Sequence, residues 1–178
     1  MPRLVNIACL QVRPRGEIEL AVDEALRLAR TAVDNDAQFL ALPEYCGGLR
    51  TQDSAIVPPA APEETHAMLQ ALREFATSKS VWIAIGSIAV PAPDGKIFNR
   101  GFVIDPGGNI QSRYDKLHMF DIQLSDSEVY RESAYVCSGT RAVITEAPFG
   151  RIGHSICYDL RFPHLYRNLA KAGAEVLM

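Results

Sequence analysis

The sequence lacks the long apolar runs and the basic excess that mark membrane and nucleic-acid-binding proteins. No apolar run approaches the ~20 residues of a membrane span, and residues 1–9 contain no long apolar signal core. The chain has 21 Asp and Glu against 18 Lys and Arg, a net charge of −3. A mildly acidic chain lacks the positive surface that binding to a phosphate backbone requires. We therefore expect neither a membrane nor a nucleic acid as partner.

Cysteine is also sparse, and its spacing excludes two further classes. The four cysteines are far apart and form no C-x-x-C pair; they are Cys9, Cys46, Cys137 and Cys157. This pattern argues against a zinc knuckle and against the dense disulfide framework of small secreted domains. It predicts a reduced, cytoplasmic setting.

The remaining composition is that of an ordinary globular domain. Of the 178 residues, 48% are hydrophobic and 22% are charged, close to the globular average. Periodicity predicts helices at 17–35, from 62 onward and at 162–172, and strands at 4–12, 39–42, 81–90 and 174–178. Hairpins are predicted at 98–104 with 110–114 and at 142–146 with 151–157, and loops at 47–62 and 116–139. Alternating β-α-β units and hairpins predict an α/β domain with a mixed sheet.

Cys157 is the first candidate for a chemical role. It ends the predicted strand that begins at Arg151 and precedes a predicted helix. A nucleophile at such a turn is exposed at the sheet edge, with backbone N–H groups nearby to receive an oxyanion. The helix N-terminus would also lower the pKa of the thiol. A buried core cysteine is the common alternative.

Three charged residues have equally open interpretations when each is taken alone. Glu44 directly follows a buried strand, where open α/β sheets bind ligands, and burial there would suit it to general base catalysis; it could also be a solvated turn residue. Lys116 could stabilise an anionic intermediate, although most lysines lie on the surface. Glu132 could equally be a solvated loop acid.

Four segments together resemble the nitrilase, or carbon–nitrogen hydrolase, superfamily. They occur in the family's order and extend over the whole chain: LPE at 42–44, YDKLHMFD at 114–121, RES at 131–133 with Gly139 after it, and GHSICYDLRFP at 153–163. The segment around Cys157 is the most specific of them. His154 departs from the family pattern, in which a less polar residue is usual three positions before the nucleophile.

The resemblance implies a Glu-Lys-Cys triad without metal or organic cofactor. It assigns Glu44 as general base, Lys116 as oxyanion stabiliser and Cys157 as nucleophile, with Glu132 helping to position the lysine. The backbone N–H of Tyr158 would be a second oxyanion donor. The implied fold is an α-β-β-α sandwich, with two sheets face to face and helices outside.

The implied activity is hydrolysis of a linear amide in a small carboxylated compound, through a cysteine thioester and with release of ammonia. The motifs look most like the amidase branch related to deaminated-glutathione amidase and ω-amidase. Hydrolysis of a nitrile or of an N-carbamoyl amide is the alternative within the superfamily. Family members often dimerise through helices beside the nucleophile, so the helix at 162–172 is the expected interface of a homodimer or higher homo-oligomer.

The extent of the chain leads to one further expectation. Relatives continue beyond the strand that matches 174–178, so residues 1–178 are expected to be a carbon–nitrogen hydrolase domain that lacks roughly its C-terminal third. Such a chain would carry all four site residues but could be inactive, because missing neighbours would expose sheet edges and apolar faces.

The other polar residues are expected to serve the structure. His118, His154 and His164 lack a ligating spacing such as H-E-x-x-H. His154 is expected to be a neutral, hydrogen-bonded imidazole in the core, and a place in the pocket lining is the alternative. Asp159 and Arg161 are expected to order the turn after Cys157 through a charged hydrogen bond.

Two cysteines complete these expectations. Cys9 alternates within the first predicted strand and is expected in the core, and Cys46 is expected to be a small loop residue near Glu44.

Overall fold

The computed structural model describes residues 4–52 and 55–178. Its three α-helices are α1 (Ile18–Val33), α2 (Ala67–Lys79) and α3 (Pro163–Lys171). The strands in the first part of the chain are β1 (Ile7–Cys9), β2 (Phe39–Ala41), β3 (Arg50–Gln52), β4 (Ala55–Val57), β5 (Trp82–Pro91), β6 (Ile97–Ile104) and β7 (Ile110–Asp115). The later strands are β8 (Asp121–Gln123), β9 (Val129–Arg131), β10 (Val136–Cys137), β11 (Ile144–Ala147), β12 (Gly150–Gly153) and β13 (Val176–Leu177).

A six-stranded mixed sheet forms the larger of the two principal sheets. Its order is β1-β2-β5-β6-β10, and β7 also pairs with β6. Strands β1, β2 and β5 are parallel, whereas β6 and β7 continue as antiparallel neighbours. A three-stranded sheet, β11-β12-β13, is the second layer. The predicted β-α-β unit and both predicted hairpins are therefore confirmed.

The order of the layers is helix, sheet, sheet, helix. Helices α1 and α2 cover one face of the larger sheet, where Leu40, Ile83 and Ile85 belong to the same buried cluster as residues of both helices. Because side chains alternate along a strand, Phe39 and Ala84 point to the opposite face and pack with Ile152 of the smaller sheet.

Helix α3 packs against β12, with Leu165 and Leu169 buried. The predicted α-β-β-α sandwich is thus confirmed. Its arrangement directs the ends of β2, β7 and β12 toward a common region, in which the candidate residues lie.

Several predicted boundaries were wrong. Helix α2 begins at Ala67 rather than at residue 62, because the extended backbone of the fully buried His66 separates it from a short 3₁₀ turn, Glu63–Thr65. Strand β12 ends at Gly153 rather than at Cys157.

The two predicted loops also contain regular structure. Residues 47–62 include the antiparallel pair β3 and β4, and residues 116–139 include the pair β8 and β9 followed by β10. Asp53 and Ser54, within the first loop, lie outside the described residues. Among the helices that the structure describes, none has the length and apolar character needed to cross a membrane.

Candidate active site

Cys157 occupies a turn with unusual backbone geometry. It is exposed and begins the 3₁₀ helix Cys157–Arg161, with φ at +48°. For a residue other than glycine this left-handed conformation is uncommon and costs free energy. The surrounding structure must therefore hold the turn in place.

Asp159 provides that support. Its buried carboxylate accepts the backbone N–H of Ile156 at 2.9 Å, the Tyr114 hydroxyl at 2.6 Å and the backbone N–H of His118 at 3.0 Å. The His118 ring contributes a further contact, from Nδ1 to the Asp159 carboxylate at 2.6 Å. Asp159 thus joins the turn at Cys157 to the segment around the candidate lysine. The expected ion pair between Asp159 and Arg161 was wrong: Arg161 is exposed, and Asp159 is instead satisfied by donors within the core.

Glu44 lies directly beyond β2, in a segment held by an irregularity in β5. The β5–β6 register shifts between Ile85 and Ile88. Within that shift, the Ser87 hydroxyl accepts the backbone N–H of Tyr45 at 2.9 Å. Gly86 packs so closely that a Cβ there would lie 2.3 Å from the carbonyl oxygen of Leu42. The β5 irregularity therefore fixes the backbone that carries Glu44.

Lys116 follows β7 and is only 2% exposed. Its ammonium donates to both carboxylate oxygens of Glu132 at 2.9 Å and lies 3.5 Å from Glu44 Oε1. Burial by itself lowers the pKa of Lys116, but its hydrogen bonds to Glu132 and the charges of the two glutamates outweigh burial and raise that pKa. Lys116 therefore remains a buried cation between two carboxyl groups.

Glu132, the ion-pair partner of Lys116, is also held in place by contacts of its own. It is buried in a short 3₁₀ turn, Glu132–Ala134, and also accepts the backbone N–H of Phe120 at 2.6 Å. On the other side of the lysine, Gly139 donates its N–H to the Lys116 carbonyl at 2.8 Å. The segment 116–139, predicted to be a functional loop, thus folds back on Lys116.

The predicted residues converge. Glu44 and Cys157 line one cavity of about 380 Å³, and Lys116 and Glu132 lie directly behind Glu44. The Tyr158 amide belongs to the first turn of the 3₁₀ helix, where backbone N–H groups have no partner within the helix. The cavity is otherwise mostly apolar, with Ile7, Phe39 and other side chains of the two facing sheets in its wall.

The thiol of Cys157 is not activated by its helix. Burial raises the pKa of Cys157, the charge of Glu44 and a hydrogen bond to it raise it further, and only Lys116 acts in the opposite direction. The expected lowering of this pKa by a helix N-terminus was wrong, because the helix is a single 3₁₀ turn and a carboxylate lies nearby. The thiol needs a base to become nucleophilic.

Sequence reasoning missed two polar residues beside this cluster. Asn99 is fully buried in β6, and its side-chain amide donates to Glu44 Oε1 at 2.7 Å. Tyr45 has φ at +50°, and its hydroxyl is buried; burial and the nearby charges of Glu132 and Glu44 raise its pKa. Asn99 could have been found from the sequence, since asparagine is disfavoured inside an apolar strand. No sequence signal marks Tyr45.

His154 and His118 have contacts that are typical of structural residues. Buried His154 contacts the Thr145 hydroxyl at 2.7 Å and the Ser112 hydroxyl at 3.1 Å, as expected for a core imidazole, and it also borders the cavity. His118 stacks on Phe162 with ring centroids 3.6 Å apart. The exposed His164 lies on α3, and within the described ranges no group of three or more His, Cys, Asp or Glu side chains is arranged to hold a metal ion.

Two of the other three cysteines, Cys9 and Cys46, differ from each other in exposure. Cys9 was expected in the core, but it is exposed and lines the same cavity as Cys157. Cys46 is buried close to Glu44 in sequence, and its thiol donates to the Ser87 carbonyl. All four cysteines lie within the described residues and are free thiols.

Comparisons with known proteins agree with this geometry. The family model described as carbon-nitrogen hydrolase matches residues 6–178. A deaminated glutathione amidase from Synechocystis sp. is 34% identical, with 96% of this chain and 63% of that protein covered. The human omega-amidase NIT2 is 30% identical over 88% of this chain and 56% of its own length. The resemblance to the carbon–nitrogen hydrolase superfamily is therefore confirmed, and both of these relatives are named as amidases.

A solved structure supports the same relationship. The crystal structure of the Caenorhabditis elegans NitFhit protein superposes with a TM-score of 0.81 at 26% identity, and the match covers 98% of this chain and 44% of that one. The chain thus spans less than two thirds of the length of each of these three proteins.

Proposed function

Because the chain belongs to the carbon–nitrogen hydrolase family, we propose that it hydrolyses the amide bond of a small, linear, carboxylated compound and releases ammonia. The observation that carries this proposal is the Glu44–Lys116–Glu132 chain of charges beside Cys157 at one cavity. An amide is a poor electrophile, so a nucleophilic cysteine would divide its hydrolysis into two easier steps.

In the first step, Glu44 acts as general base. The raised pKa of Cys157 means that its thiol is protonated at neutral pH, and Glu44 removes that proton as sulfur attacks the amide carbon. The C–N bond of the resulting tetrahedral intermediate then breaks. Glu44 returns the proton to the departing nitrogen, which leaves as ammonia, and the acyl group stays on Cys157 as a thioester.

Lys116 stabilises the oxyanion of that intermediate. Before the reaction, its charge is shared between Glu132 and Glu44. Once Glu44 has taken the thiol proton it is neutral, so the lysine's charge becomes available to the oxyanion. The Tyr158 amide is the second donor, and one such donor typically contributes roughly 3 kcal/mol to lowering the barrier.

The second step repeats the same roles with water. Glu44 removes a proton from a water molecule as its oxygen attacks the thioester carbon. The second tetrahedral intermediate collapses, the C–S bond breaks, and the sulfur takes the proton from Glu44. The carboxylic acid product then leaves the cavity and the site is restored.

We prefer amide hydrolysis over hydrolysis of a nitrile or of an N-carbamoyl amide because of how the relatives are named. The Synechocystis and human relatives are named as amidases. We expect ammonia from the monoamides of succinate and glutarate, and little from the matching nitriles or N-carbamoyl amino acids. Ammonia released from nitriles alone would contradict this assignment, and turnover confined to carbamoyl compounds would favour the carbamoylase alternative.

The nucleophile is tested by Cys157→Ala, compared with Cys137→Ser. We expect Cys157→Ala to keep the wild-type melting temperature and to abolish ammonia release, since the substitution removes the sulfur that attacks the amide carbon. Cys137 lies in β10 and outside the cavity lining, so Cys137→Ser should keep most activity. Ordinary turnover by Cys157→Ala would refute the mechanism.

The assembly and location of the protein are further parts of the proposal. We propose a homodimer or higher homo-oligomer with α3 at the interface, because the resemblance implies contacts through helices beside the nucleophile. Light scattering coupled to size exclusion would measure the oligomeric state. We also propose a reducing, cytoplasmic setting, which the four free cysteines support.

A further inference from the structure

One buried side chain contacts two of the proposed catalytic residues at once. The backbone carbonyl of Asn99 accepts the N–H of Lys116 at 3.0 Å, and its side-chain amide donates to Glu44 Oε1 at 2.7 Å. Asn99 itself has no exposed surface. The residue therefore fixes the distance between the general base and the lysine.

The two carboxylate oxygens of Glu44 have different contacts. Oε1 accepts from Asn99 and is also the oxygen nearest the Lys116 ammonium, at 3.5 Å. A hydrogen-bond donor and a cation thus lie beside the same oxygen of the carboxylate. Oε2 has neither contact, so it is the oxygen left to exchange a proton with Cys157, which lines the same cavity as Glu44.

The direction of the Asn99 bond matters for the proton transfer. An amide nitrogen can only donate, and Oε1 accepts whether Oε2 is ionised or protonated. The contact therefore persists through both states of Glu44, and the carboxyl group need not rotate when it receives the thiol proton.

The other end of the amide indicates that this contact does not serve packing alone. Asn99 Oδ1 is buried and has no hydrogen-bond partner among the described residues. A buried acceptor without a partner destabilises a fold. Polar residues that break a folding rule in this way are expected at functional sites.

We propose that Asn99 is a positioning residue for the general base, which holds Glu44 Oε1 so that Oε2 is directed at the thiol of Cys157. This inference rests on the proposed function. It predicts that loss of the donor impairs the chemical step more than substrate binding, because the contact acts through Glu44 and does not touch the substrate.

Two substitutions test the donor in different ways. In Asn99→Ser the side chain is too short to reach Glu44. In Asn99→Asp the shape is kept, but the donor becomes a carboxylate beside the Glu44 carboxylate. The charged and titratable groups near Glu44 are Lys116, Glu132, Cys157, Tyr45 and Tyr135. All of them are unchanged in both variants. Exposed Asn35, beyond α1, gives the matched control Asn35→Asp.

The first measurement is steady-state ammonia release from the monoamides of succinate and glutarate. We expect Asn99→Ser to lower kcat about tenfold or more with KM within about twofold, the pattern of a transition-state defect. Asn99→Asp should move the acid limb of the pH–rate profile upward by about one pH unit or more, because two adjacent carboxyl groups resist sharing negative charge. Asn35→Asp should match the wild type.

The second measurement needs no substrate. Iodoacetamide alkylates Cys157 when its sulfur displaces iodide and its proton passes to Glu44, so peptide mapping of alkylated Cys157 against pH reports on the same base. The pH dependence should shift upward in Asn99→Asp and not in Asn35→Asp. Melting temperatures identify any variant that loses activity through unfolding.

The outcomes separate the two proposals. If the wild type hydrolyses amides and folded Asn99 variants keep its kcat and pH profile, the role of Asn99 is wrong and the proposed function stands. If the wild type hydrolyses no amide, the proposed function fails, and the alkylation profile still decides the role of Asn99. An unshifted alkylation profile in Asn99→Asp would overturn that role.

Discussion

At the scale of single residues, the structure keeps a neutral imidazole in its core. Burial lowers the pKa of His154 to about 4, from an ordinary value of 6.5. The ring's contacts with the Thr145 and Ser112 hydroxyls are those of a neutral imidazole, which can donate and accept. Protonation of His154 therefore opposes folding.

This leads to a prediction about acid stability. Between about pH 6.5 and about pH 4 the unfolded chain binds a proton at His154 that the folded chain does not, so stability falls as the pH falls. With about 1.4 kcal/mol for each unit of pKa shift, the loss attributable to His154 is roughly 3 kcal/mol. Urea unfolding across this range should show a smaller loss for His154→Gln than for the wild type.

The exposed His164 provides the control. His164→Gln should keep the wild-type pH dependence, since that ring lies at the surface of α3. An equally steep acid loss in His154→Gln and in the wild type would show that His154 is not the source.

A second prediction concerns the buried Tyr114–Asp159 hydrogen bond. Both groups are almost completely buried, and the hydroxyl donates to the carboxylate at 2.6 Å. Hydrogen bonds to a charged group contribute about 1.5–3 kcal/mol, so Tyr114→Phe should lower the free energy of unfolding by about that amount in urea titrations. Tyr130→Phe, at an exposed hydroxyl bonded to Glu128, should change it by under about 0.5 kcal/mol.

Among single residues, the sequence predicted best those that lie in the family motifs. Glu44, Lys116, Glu132 and Cys157 were all predicted and are found together, although none was specific when taken alone. Asn99 was missed because it lies outside those segments. The Asp159–Arg161 pair was wrong because the partners of a buried carboxylate, Tyr114 and His118, come from a distant part of the chain.

At the scale of elements, irregular segments hold the site and regular ones form the scaffold. The shift in β5 at Gly86 and Ser87 holds the segment that follows β2. Gly139 packs closely against the segment that carries Lys116, since a Cβ at Gly139 would lie 2.2 Å from the carbonyl oxygen of Asp115. In both places a close backbone approach requires glycine.

Gly86→Ala tests this support. The added methyl group would meet the Leu42 and Pro43 backbone, which cannot yield as a flexible side chain does. We expect a loss of about 1–3 kcal/mol in the free energy of unfolding, together with a lower kcat, because Glu44 moves with its backbone. Urea titration and ammonia release measure the two effects.

The control for that substitution is Gly16→Ala. The nearest atom to a Cβ at Gly16 is Arg50 Cγ, at 3.7 Å, so this change should have little effect on stability or on rate. A harmless Gly86→Ala would contradict the claim that the β5 irregularity positions Glu44.

Element prediction succeeded where periodicity was clear and failed where tertiary contacts decided. Helices α1 and α3 and strands β5 to β7 were predicted within a few residues. The start of α2 was wrong because burial of His66 outweighed a favourable Pro-Glu-Glu helix start. The pairs β3 with β4 and β8 with β9 were missed because their strands are only three residues long.

At the scale of the whole molecule, the function proposed here depends on the sandwich of two sheets. Glu44 and Lys116 follow strands of the larger sheet, whereas Cys157 follows a strand of the smaller sheet. Their meeting therefore requires both sheets to pack as they do. Motif order predicted this architecture through family resemblance, whereas the alternation of strands and helices alone predicted only an α/β domain with a mixed sheet.

The central claim is that amide hydrolysis passes through a thioester on Cys157, and its most direct test is the mass of the Cys157 peptide during turnover. Wild-type protein mixed with the monoamide of glutarate is quenched in acid, digested and analysed by mass spectrometry. The thioester mechanism predicts a Cys157 peptide that is heavier by the mass of the amide minus the mass of ammonia, because the acyl group replaces the thiol hydrogen. It predicts no such adduct in Cys157→Ala. Ammonia release without this adduct at every quench time, or with the acyl group on another residue, would contradict a thioester on Cys157.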